Sequence, residues 1–332
     1  MPSVKFLILR FSSRGNSVLT TPIIRGLKQQ VENAEVHYFT KPAFKEILEA
    51  NPYIDKIHVL EDDLKEQLEE LKKEQFEYII DLHKNLRTAR VKSALKTISF
   101  SFNKLNFQKW MLVNFKIDKL PRKHLVDRYY ESVGVFDVHD DGEGLDFFIP
   151  EKDRVDVSSL MPELKGNDYI GFVMGANHNT KMLTEQKINS ILSEIDHPVV
   201  LLGGKEDYPL GMKIKEQNPE SVYNACGQFS INQSASLVKQ SRVMITPDTG
   251  LMHISAAFKK PLITVWGNTV PEFGMYPYYP NSNSSVFEVN GLSCRPCSKL
   301  GYRNCPKKHF RCIKDLDSKN IAAKANTFFT SL

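Results

Sequence analysis

The sequence lacks the long apolar segments that mark a membrane-spanning or exported protein. Its longest apolar runs, residues 6–9 and 199–202, have the length of strands, whereas a spanning helix needs about 20 apolar residues. A strand pattern begins almost at the first residue, with no basic region followed by an apolar stretch and a small-residue cleavage site. These features predict a cytoplasmic protein.

Strong charge of one sign is also missing, as are several familiar motifs. A net charge of +5 on 332 residues permits an anionic substrate or an anionic membrane surface, but it is too small for a nucleic-acid-binding protein. No G-x-G-x-x-G follows the first strand, no P-loop spacing precedes Gly204-Lys205, and neither G-x-S-x-G nor H-E-x-x-H occurs. The missing glycine fingerprint disfavours a dinucleotide oxidoreductase in particular.

The chain is long enough for two hydrophobic cores, and both halves alternate strand and helix patterns. Predicted strands are residues 4–10, 36–40, 56–60 and 78–81, then 169–174, 199–202, a short one near 222, 242–246 and 262–266. Strand–helix alternation predicts parallel sheets covered by helices on both faces. We therefore expect an α/β protein with two facing Rossmann-like domains, residues 1–150 and 151–332, and a ligand cleft between them. The linker is predicted within residues 137–166, which are turn-rich and weakly periodic.

One segment, residues 246–257, runs from the end of a buried strand into a helix. The first turn of such a helix exposes backbone N–H groups and the positive end of the helix dipole, which suits a diphosphate. Gly250 would allow a ligand close to the backbone. Asp248 and Thr249 could equally serve only as an N-cap, and His253 could be an ordinary buried histidine. From the residues alone, a phosphate site and a capped helix start are both open.

Resemblance adds to this interpretation. The run Asp248-Thr249-Gly250-Leu251-Met252-His253, with Ala256-Ala257 and residues 261–269 (PLITVWGNT), resembles the signature of the heptosyltransferase family. Four further segments, in the same order as in the family, extend the likeness over about 300 residues: 10–22, 81–87, 175–181 and 201–207. The resemblance implies the GT-B fold and an inverting transfer of heptose from ADP-heptose to the lipopolysaccharide core. It implies no metal and no cofactor in that reaction.

The resemblance also implies roles for individual residues. Lys181 matches the lysine that holds the donor diphosphate as a fixed cation. Thr249 and Gly250 would offer backbone donors to the phosphates, and Asp248 and His253 would shape the donor site. Glu206 or Asp207, with Glu206 preferred, would bind the ribose hydroxyls of the donor. Ser12, Ser13 and Gly15 would contact the donor from the N-terminal side of the cleft. Lys84 and Arg87 would lie near an acidic acceptor.

One position departs from the family pattern. Where the family places its catalytic aspartate, after a glycine in the N-terminal loop, this chain has Gly15-Asn16. An amide cannot accept the proton of the attacking hydroxyl. Three explanations are open: a weak or silent member that binds nucleotide sugar, another base such as His83 or His178, or an introduced change at Asn16.

Two other segments carry unusual composition. Seven Lys or Arg lie between Lys104 and Arg128, interleaved with Trp110 and neighbouring apolar residues, and this pattern fits either a solvated helix face or a surface near anionic lipid headgroups. Four cysteines, Cys294, Cys297, Cys305 and Cys312, surround His309 in a predicted loop-rich tail outside both sheets. Reduced thiols that order the loop are preferred there, with zinc and disulfides as alternatives.

The sequence thus predicts a glycosyltransferase whose partners are a nucleotide-sugar donor, with ADP-heptose favoured, and a glycolipid acceptor. It would act in the cytoplasm, with peripheral contact to the inner face of the inner membrane as a further expectation. The alternative is a catalytically silent nucleotide-sugar-binding protein, favoured by Asn16.

Overall fold

The computed structural model describes residues 3–61, 63–160 and 168–331. Its contacts divide the chain into two compact units: Met1–Leu105 with Lys123–Phe148, and Asn106–Arg122 with Ile149–Leu332. The boundary near residue 149 lies next to the predicted division after residue 150. Asn106–Arg122, which the sequence assigned to the first domain, groups with the second unit. Part of the predicted linker, residues 161–167, lies outside the described residues.

The first unit contains a five-stranded sheet in which all the pairings are parallel. The strands are β1 Val4–Leu9, β2 Ala34–Thr40, β3 Lys56–Val59, β4 Tyr78–Asp81 and β5 Ile98–Ser101. Their order across the sheet is β3-β2-β1-β4-β5. The inner strand β1 is apolar and buried from Phe6 to Leu9, because helices cover both faces of a parallel sheet.

The helices of the first unit connect these strands. They are α1 Arg14–Val18, α2 Thr21–Gln30, α3 Pro42–Lys45, α4 Leu64–Lys73, α5 Leu86–Leu95 and α7 Leu125–Tyr130. Pro22 lies in the first turn of α2, where a missing N–H costs no intrahelical bond. One core cluster joins Leu7, Leu9 and Phe11 to Leu71 of α4 and Val91 of α5.

The second unit contains a six-stranded parallel sheet. Its strands are β6 Ile170–Val173, β7 Val199–Leu202, β8 Val222–Asn224, β9 Val243–Pro247, β10 Leu262–Trp266 and β11 Ser284–Glu288. Their order across the sheet is β11-β10-β9-β6-β7-β8. Strands β6, β7 and β8 follow one another towards one edge of the sheet, and β9, β10 and β11 follow one another towards the opposite edge. The order therefore reverses between β6 and β9, and ligands of open α/β sheets bind at such a switch point.

The helices of the second unit are α6 Asn106–Phe115, α8 Val157–Leu160, α9 Glu185–Leu192, α10 Tyr208–Gln217, α11 Ile231–Gln240, α12 Gly250–Ala257, α13 Arg311–Lys314 and α14 Ser318–Thr330. The last helix, α14, contributes Ile321, Ala325 and Phe328 to the core cluster built on β6 and β9. Asp317 caps it by accepting a hydrogen bond from the N–H of Asn320.

The predicted fold class, two parallel-sheet α/β domains, is confirmed. Two strands were not predicted, β5 and β11, and both lie at a sheet edge. Their residues are half-buried or exposed rather than fully buried, so neither shows the continuous apolar run that identifies an inner parallel strand.

Candidate active site

The loops that follow β6, β7, β9 and β10 meet at one edge of the second sheet, because the carboxyl ends of parallel strands share an edge. The loop after β6 ends in a single 3-10 turn, Asn179–Lys181. The loop after β9 leads within two residues into α12. Both loops therefore lie at the switch point between β6 and β9.

A buried ion pair joins these two loops. The Nζ of Lys181 donates to Oδ2 of Asp248 at 2.5 Å, and the side chains are only 16% and 10% exposed. The same Oδ2 accepts a hydrogen bond from the hydroxyl of Thr269 at 3.0 Å. Asp248, itself held by Thr269, therefore fixes the position of the Lys181 ammonium before any ligand arrives, which is the kind of preorganisation that stabilises developing charge.

The start of α12 offers further donors. Its N-cap residue, Thr249, has extended backbone, and no side chain caps the first turn; the Oγ1 atoms of Thr249 and Thr246 lie 3.3 Å apart instead. Gly250 is the first helical residue. The structure thus places the free N–H groups of an eight-residue helix beside Lys181 and Asp248, in an arrangement suited to an anion.

His253 points into the interior one turn into α12. It is 2% exposed, and burial lowers its pKa to about 4, with Asp248 opposing and Lys181 reinforcing that shift. Its Nδ1 finds no hydrogen-bond partner among the described residues. The imidazole is therefore neutral at pH 7, so it contributes shape and hydrogen-bonding capacity to this region rather than positive charge.

The two acidic candidates for binding the ribose, Glu206 and Asp207, both lie in the loop after β7 but differ in burial. Asp207 is 3% exposed, and its Oδ2 accepts from the N–H of Gly204 at 2.8 Å. A Cβ on Gly175 or Gly203 would collide with that carboxylate. The Asp207 carboxylate is therefore packed between the loop after β6 and the loop after β7, whereas Glu206 is exposed. This division supports the preference for Glu206.

Sequence reasoning missed the residues that hold the site loops together. Thr180 Oγ1 donates to Oδ1 of Asn268 at 3.1 Å, and the N–H of Tyr302 donates to Thr180 Oγ1 at 2.8 Å. A Cβ on Gly267 would lie 2.6 Å from the carbonyl oxygen of Thr180. Asn268 and Thr269 stood within the quoted motif, but only their tertiary contacts reveal what they do.

In the first unit, the predicted N-terminal loop forms a short helix rather than a turn. The polar residues 12–17, Ser-Ser-Arg-Gly-Asn-Ser, predict a turn after the first strand, yet α1 begins at Arg14 with Ser13 in the N-cap position. Gly15 is buried, Ser12 is exposed, and Asn16 is half-buried. The Nδ2 of Asn16 donates to Oγ of Ser13 at 3.1 Å, so the amide at the family's base position is occupied by a local hydrogen bond.

The other predicted residues of the first unit surround the loop after β4. Lys84 Nζ donates to the carbonyl oxygen of Phe102 at 3.1 Å, and the Arg87 guanidinium lies 5.6 Å from the centre of the Phe11 ring. The backbone N–H of Phe11 approaches Nδ1 of His83 at 3.5 Å. Burial and the nearby Arg10 lower the pKa of His83 to about 4, which keeps that ring neutral and able to accept a proton.

The four clustered cysteines are free thiols. The Sγ of Cys294 lies 3.8 Å from Nε2 of His309. Cys312, however, belongs to the hydrophobic core beside α14, so the prediction that the whole cluster lies in a loop-rich tail is wrong for this residue. Burial raises the pKa of Cys312 to about 12, which disfavours its thiolate.

Two parallel-sheet units define an α/β protein, and the second has a lysine–aspartate pair beside a helix start at its switch point, an arrangement suited to an anion. The family model of glycosyltransferase family 9 (heptosyltransferase) matches residues 66–307. The chain therefore belongs to that family, and the protein is a glycosyltransferase. The membership predicted from its motifs is confirmed.

Individual relatives agree with this assignment. The chain is 24% identical to lipopolysaccharide heptosyltransferase 1 of Campylobacter coli, over 98% of this chain and 99% of that protein. It is 31% identical to lipooligosaccharide heptosyltransferase 2 of Campylobacter jejuni over 39% of this chain and 40% of that protein.

Among solved structures, ADP-heptose lps heptosyltransferase II of E. coli matches with a TM-score of 0.75 at 16% identity, over 98% and 99% of the two chains. E. coli heptosyltransferase WaaC with ADP matches with a TM-score of 0.63 at 16% identity, over 85% of this chain and 92% of that one. At these identities the likeness shows a shared fold.

Proposed function

We propose that the protein transfers heptose from ADP-heptose to a lipopolysaccharide core acceptor by a metal-independent, inverting displacement. The observation that carries this proposal is the Lys181–Asp248 pair, fixed beside the uncapped start of α12. Relatives named as lipopolysaccharide heptosyltransferases support the choice of donor and acceptor.

In the proposed reaction, the bond between the anomeric carbon and the diphosphate breaks as the acceptor hydroxyl attacks from the opposite face. Negative charge accumulates on the departing ADP. Lys181 and the N–H groups at Thr249 and Gly250 would bind those phosphate oxygens, and interactions that strengthen as charge develops lower the barrier. Glu206 would bind the ribose hydroxyls.

We assign Ser12, Ser13 and Gly15 of the first unit to binding of the donor, and Lys84 and Arg87 to contacts with acidic groups of the acceptor. The proton of the attacking hydroxyl needs a base. Asn16 is an amide and cannot serve, so turnover should be slow unless another residue, such as His83 or His178, takes that proton.

The test is a transfer assay with purified chain, ADP-heptose and a lipopolysaccharide core acceptor that lacks the heptose, followed by mass spectrometry of the glycolipid. We expect an acceptor heavier by one heptose, and ADP released in equal amount. If ADP-heptose fails to bind while another nucleotide sugar raises the thermal midpoint, the assigned donor is wrong.

A second function, nucleotide-sugar binding without transfer, is favoured by one observation: Asn16 is an amide held by Ser13. The same assay separates the two functions. A silent binder would show ADP-heptose binding by calorimetry and no heavier acceptor, even with donor and enzyme in excess.

We further propose that the protein works in the cytoplasm and touches an anionic membrane through α6. None of the helices in the described residues is long and apolar enough to cross a bilayer. Helix α6 nevertheless exposes Phe107 and Trp110, which are 67% and 46% accessible and stack at 6.1 Å between ring centroids. Exposed aromatic rings among basic residues are typical of helices that lie in the headgroup region.

Co-sedimentation with phosphatidylglycerol vesicles tests this contact. Binding should fall when Phe107 and Trp110 are both changed to Ser, and it should weaken as salt screens the lysines. Val135→Ser, which removes an equally exposed apolar residue of the first unit, is the matched control. Equal sedimentation of the double variant and the parent would remove α6 from the proposal.

A further inference from the structure

Two buried histidines lie side by side in the first unit, in a region that the proposed reaction does not use. His37 belongs to β2 and His58 to the neighbouring parallel strand β3. The register pairs His58 with Phe39, two residues after His37, so both rings project from the same face of the sheet. They are 1% and 9% exposed, and Phe76 packs edge-on against both.

A carboxylate completes the group. Glu74 follows the last residue of α4, and one ligand atom each from His37, His58 and Glu74 lies within 4.8 Å of the other two. Nδ1 of His37 and Nε2 of His58 are 3.0 Å apart. Two nitrogens that each lie about 2.05 Å from one tetrahedral zinc ion are separated by about 3.3 Å, so a small movement would accommodate the metal.

A second carboxylate orients the first histidine. Nε2 of His37 lies 2.8 Å from Oε1 of Glu35, and this acceptor selects the tautomer that carries its proton on Nε2. The lone pair of Nδ1 then points at His58. A carboxylate bonded to the far nitrogen of a histidine ligand is the usual outer support of a zinc site.

The charges around the group are compatible with a cation. Glu74 contacts Lys56, and its Oε2 lies 3.7 Å from Nζ of Lys5. Because Lys56 is 56% exposed, it can move into water when a metal takes its place on the carboxylate.

We propose that His37, His58 and Glu74 bind one zinc ion, which ties β2 and β3 to the end of α4. Two imidazoles and one carboxylate are a donor set that zinc accepts, with one tetrahedral position left for water. The site lies in the first unit and includes none of the residues assigned to the proposed transfer reaction.

Zinc analysis of the full-length chain, with any histidine tag removed, tests the proposal. The clustered thiols could also hold zinc, so the background is the variant with Cys294, Cys297, Cys305 and Cys312 all changed to Ser. We expect about one zinc per chain in that background after zinc addition and gel filtration. His58→Gln and Glu74→Gln should each lose it, and Glu35→Ala should weaken zinc binding about 10–100-fold.

His139→Gln is the matched control, because His139 is an exposed histidine of the same unit that pairs with Asp137 at 2.8 Å. It should keep the full zinc content. Zinc content unchanged by His58→Gln, or no zinc in the background variant, would overturn the proposal.

If the four-serine background does not fold, cobalt substitution in the parent chain provides the same decision. Cobalt held by nitrogen and oxygen gives visible bands without the near-ultraviolet charge-transfer band of thiolate ligands. Visible bands that disappear in His58→Gln support the site. Cobalt spectra that show only thiolate ligation, or that are unchanged in His58→Gln, contradict it.

Discussion

The two units end their parallel strands in different ways. At the strand ends of the second unit, a charged pair, Lys181 and Asp248, and an uncapped helix start remain available to a ligand. The corresponding loop of the first unit satisfies its own groups: Asn16 donates to Ser13, and buried Arg10 donates to Leu82 O and Tyr129 Oη. The difference lies in the partners: Lys181 is held by a carboxylate in the second unit, whereas the Asn16 amide is held by a neutral hydroxyl in the first.

The largest expected effect comes from placing a carboxylate at position 16 of the first unit, where this chain has an amide. Asn16→Asp should raise the rate of heptose transfer about 10²–10⁴-fold, the usual contribution of a general base. Nucleotide affinity should hardly change, because the groups proposed to bind the diphosphate and the ribose lie in the second unit. Single-turnover rates and ADP calorimetry measure both quantities.

Asn16→Ser, which provides no base, is the control for that change. Equal transfer rates for Asn16→Asp and the parent would place the base elsewhere. In that case either His83→Gln or His178→Gln should abolish the remaining activity, and the variant that does so identifies the base.

The next effect comes from removing charge from the second unit. Lys181→Ala should weaken ADP binding by about 1.5–3 kcal/mol, the scale of a hydrogen bond to a charged group. Lys213→Ala removes an equally positive side chain that pairs at the surface with Glu185 at 2.8 Å, and it should leave ADP affinity unchanged. Calorimetry on folded protein decides, and unaltered affinity in Lys181→Ala would exclude this lysine as the diphosphate ligand.

A third effect concerns pH. Burial lowers the pKa of His253 from 6.5 to about 4, so between these values the unfolded chain binds more protons than the folded one. The stability that neutral His253 contributes is therefore complete above pH 6.5 and is lost as pH falls towards 4, by about 1–3 kcal/mol in total.

Urea unfolding of the parent and His253→Gln at pH 7 and pH 4.5 measures this contribution. The variant should lose less stability on acidification than the parent does. His58 and His83 also have lowered pKa values, so the variant keeps part of the acid sensitivity. Identical acid sensitivity in both proteins would mean that His253 does not titrate in this range.

The smallest effects separate the two neighbouring acids. Glu206→Ala should weaken ADP binding by about 1 kcal/mol, one net hydrogen bond, without changing the thermal midpoint. Asp207→Ala should reduce the free energy of unfolding by about 0.5–2 kcal/mol, because the N–H of Gly204 loses its buried cap. If the two variants exchange these phenotypes, Asp207 is the ribose ligand.

Much of the candidate site could be predicted because it is local in sequence. The strand-to-helix transition at residues 246–257 shows an apolar run, an Asp-Thr-Gly turn and a small-residue helix in order, and β9 and α12 occupy those positions. The alternation of strands and helices likewise predicted two parallel sheets. Edge strands β5 and β11 were not predicted, because they show neither a continuous apolar run nor an alternation of buried and exposed residues.

The fold class, the family and the loops that carry Lys181, Glu206 and Gly250 could be predicted from sequence patterns, because parallel strands and helix starts are local features. Which groups meet depends on tertiary packing. The pairing of Lys181 with Asp248, the burial of Asp207 and the approach of His37 to His58 join residues that lie 67, 3 and 21 positions from their partners. Even the shortest of these contacts depends on packing, because burial, and not residue type, makes one of two adjacent acids structural and leaves the other free for a ligand.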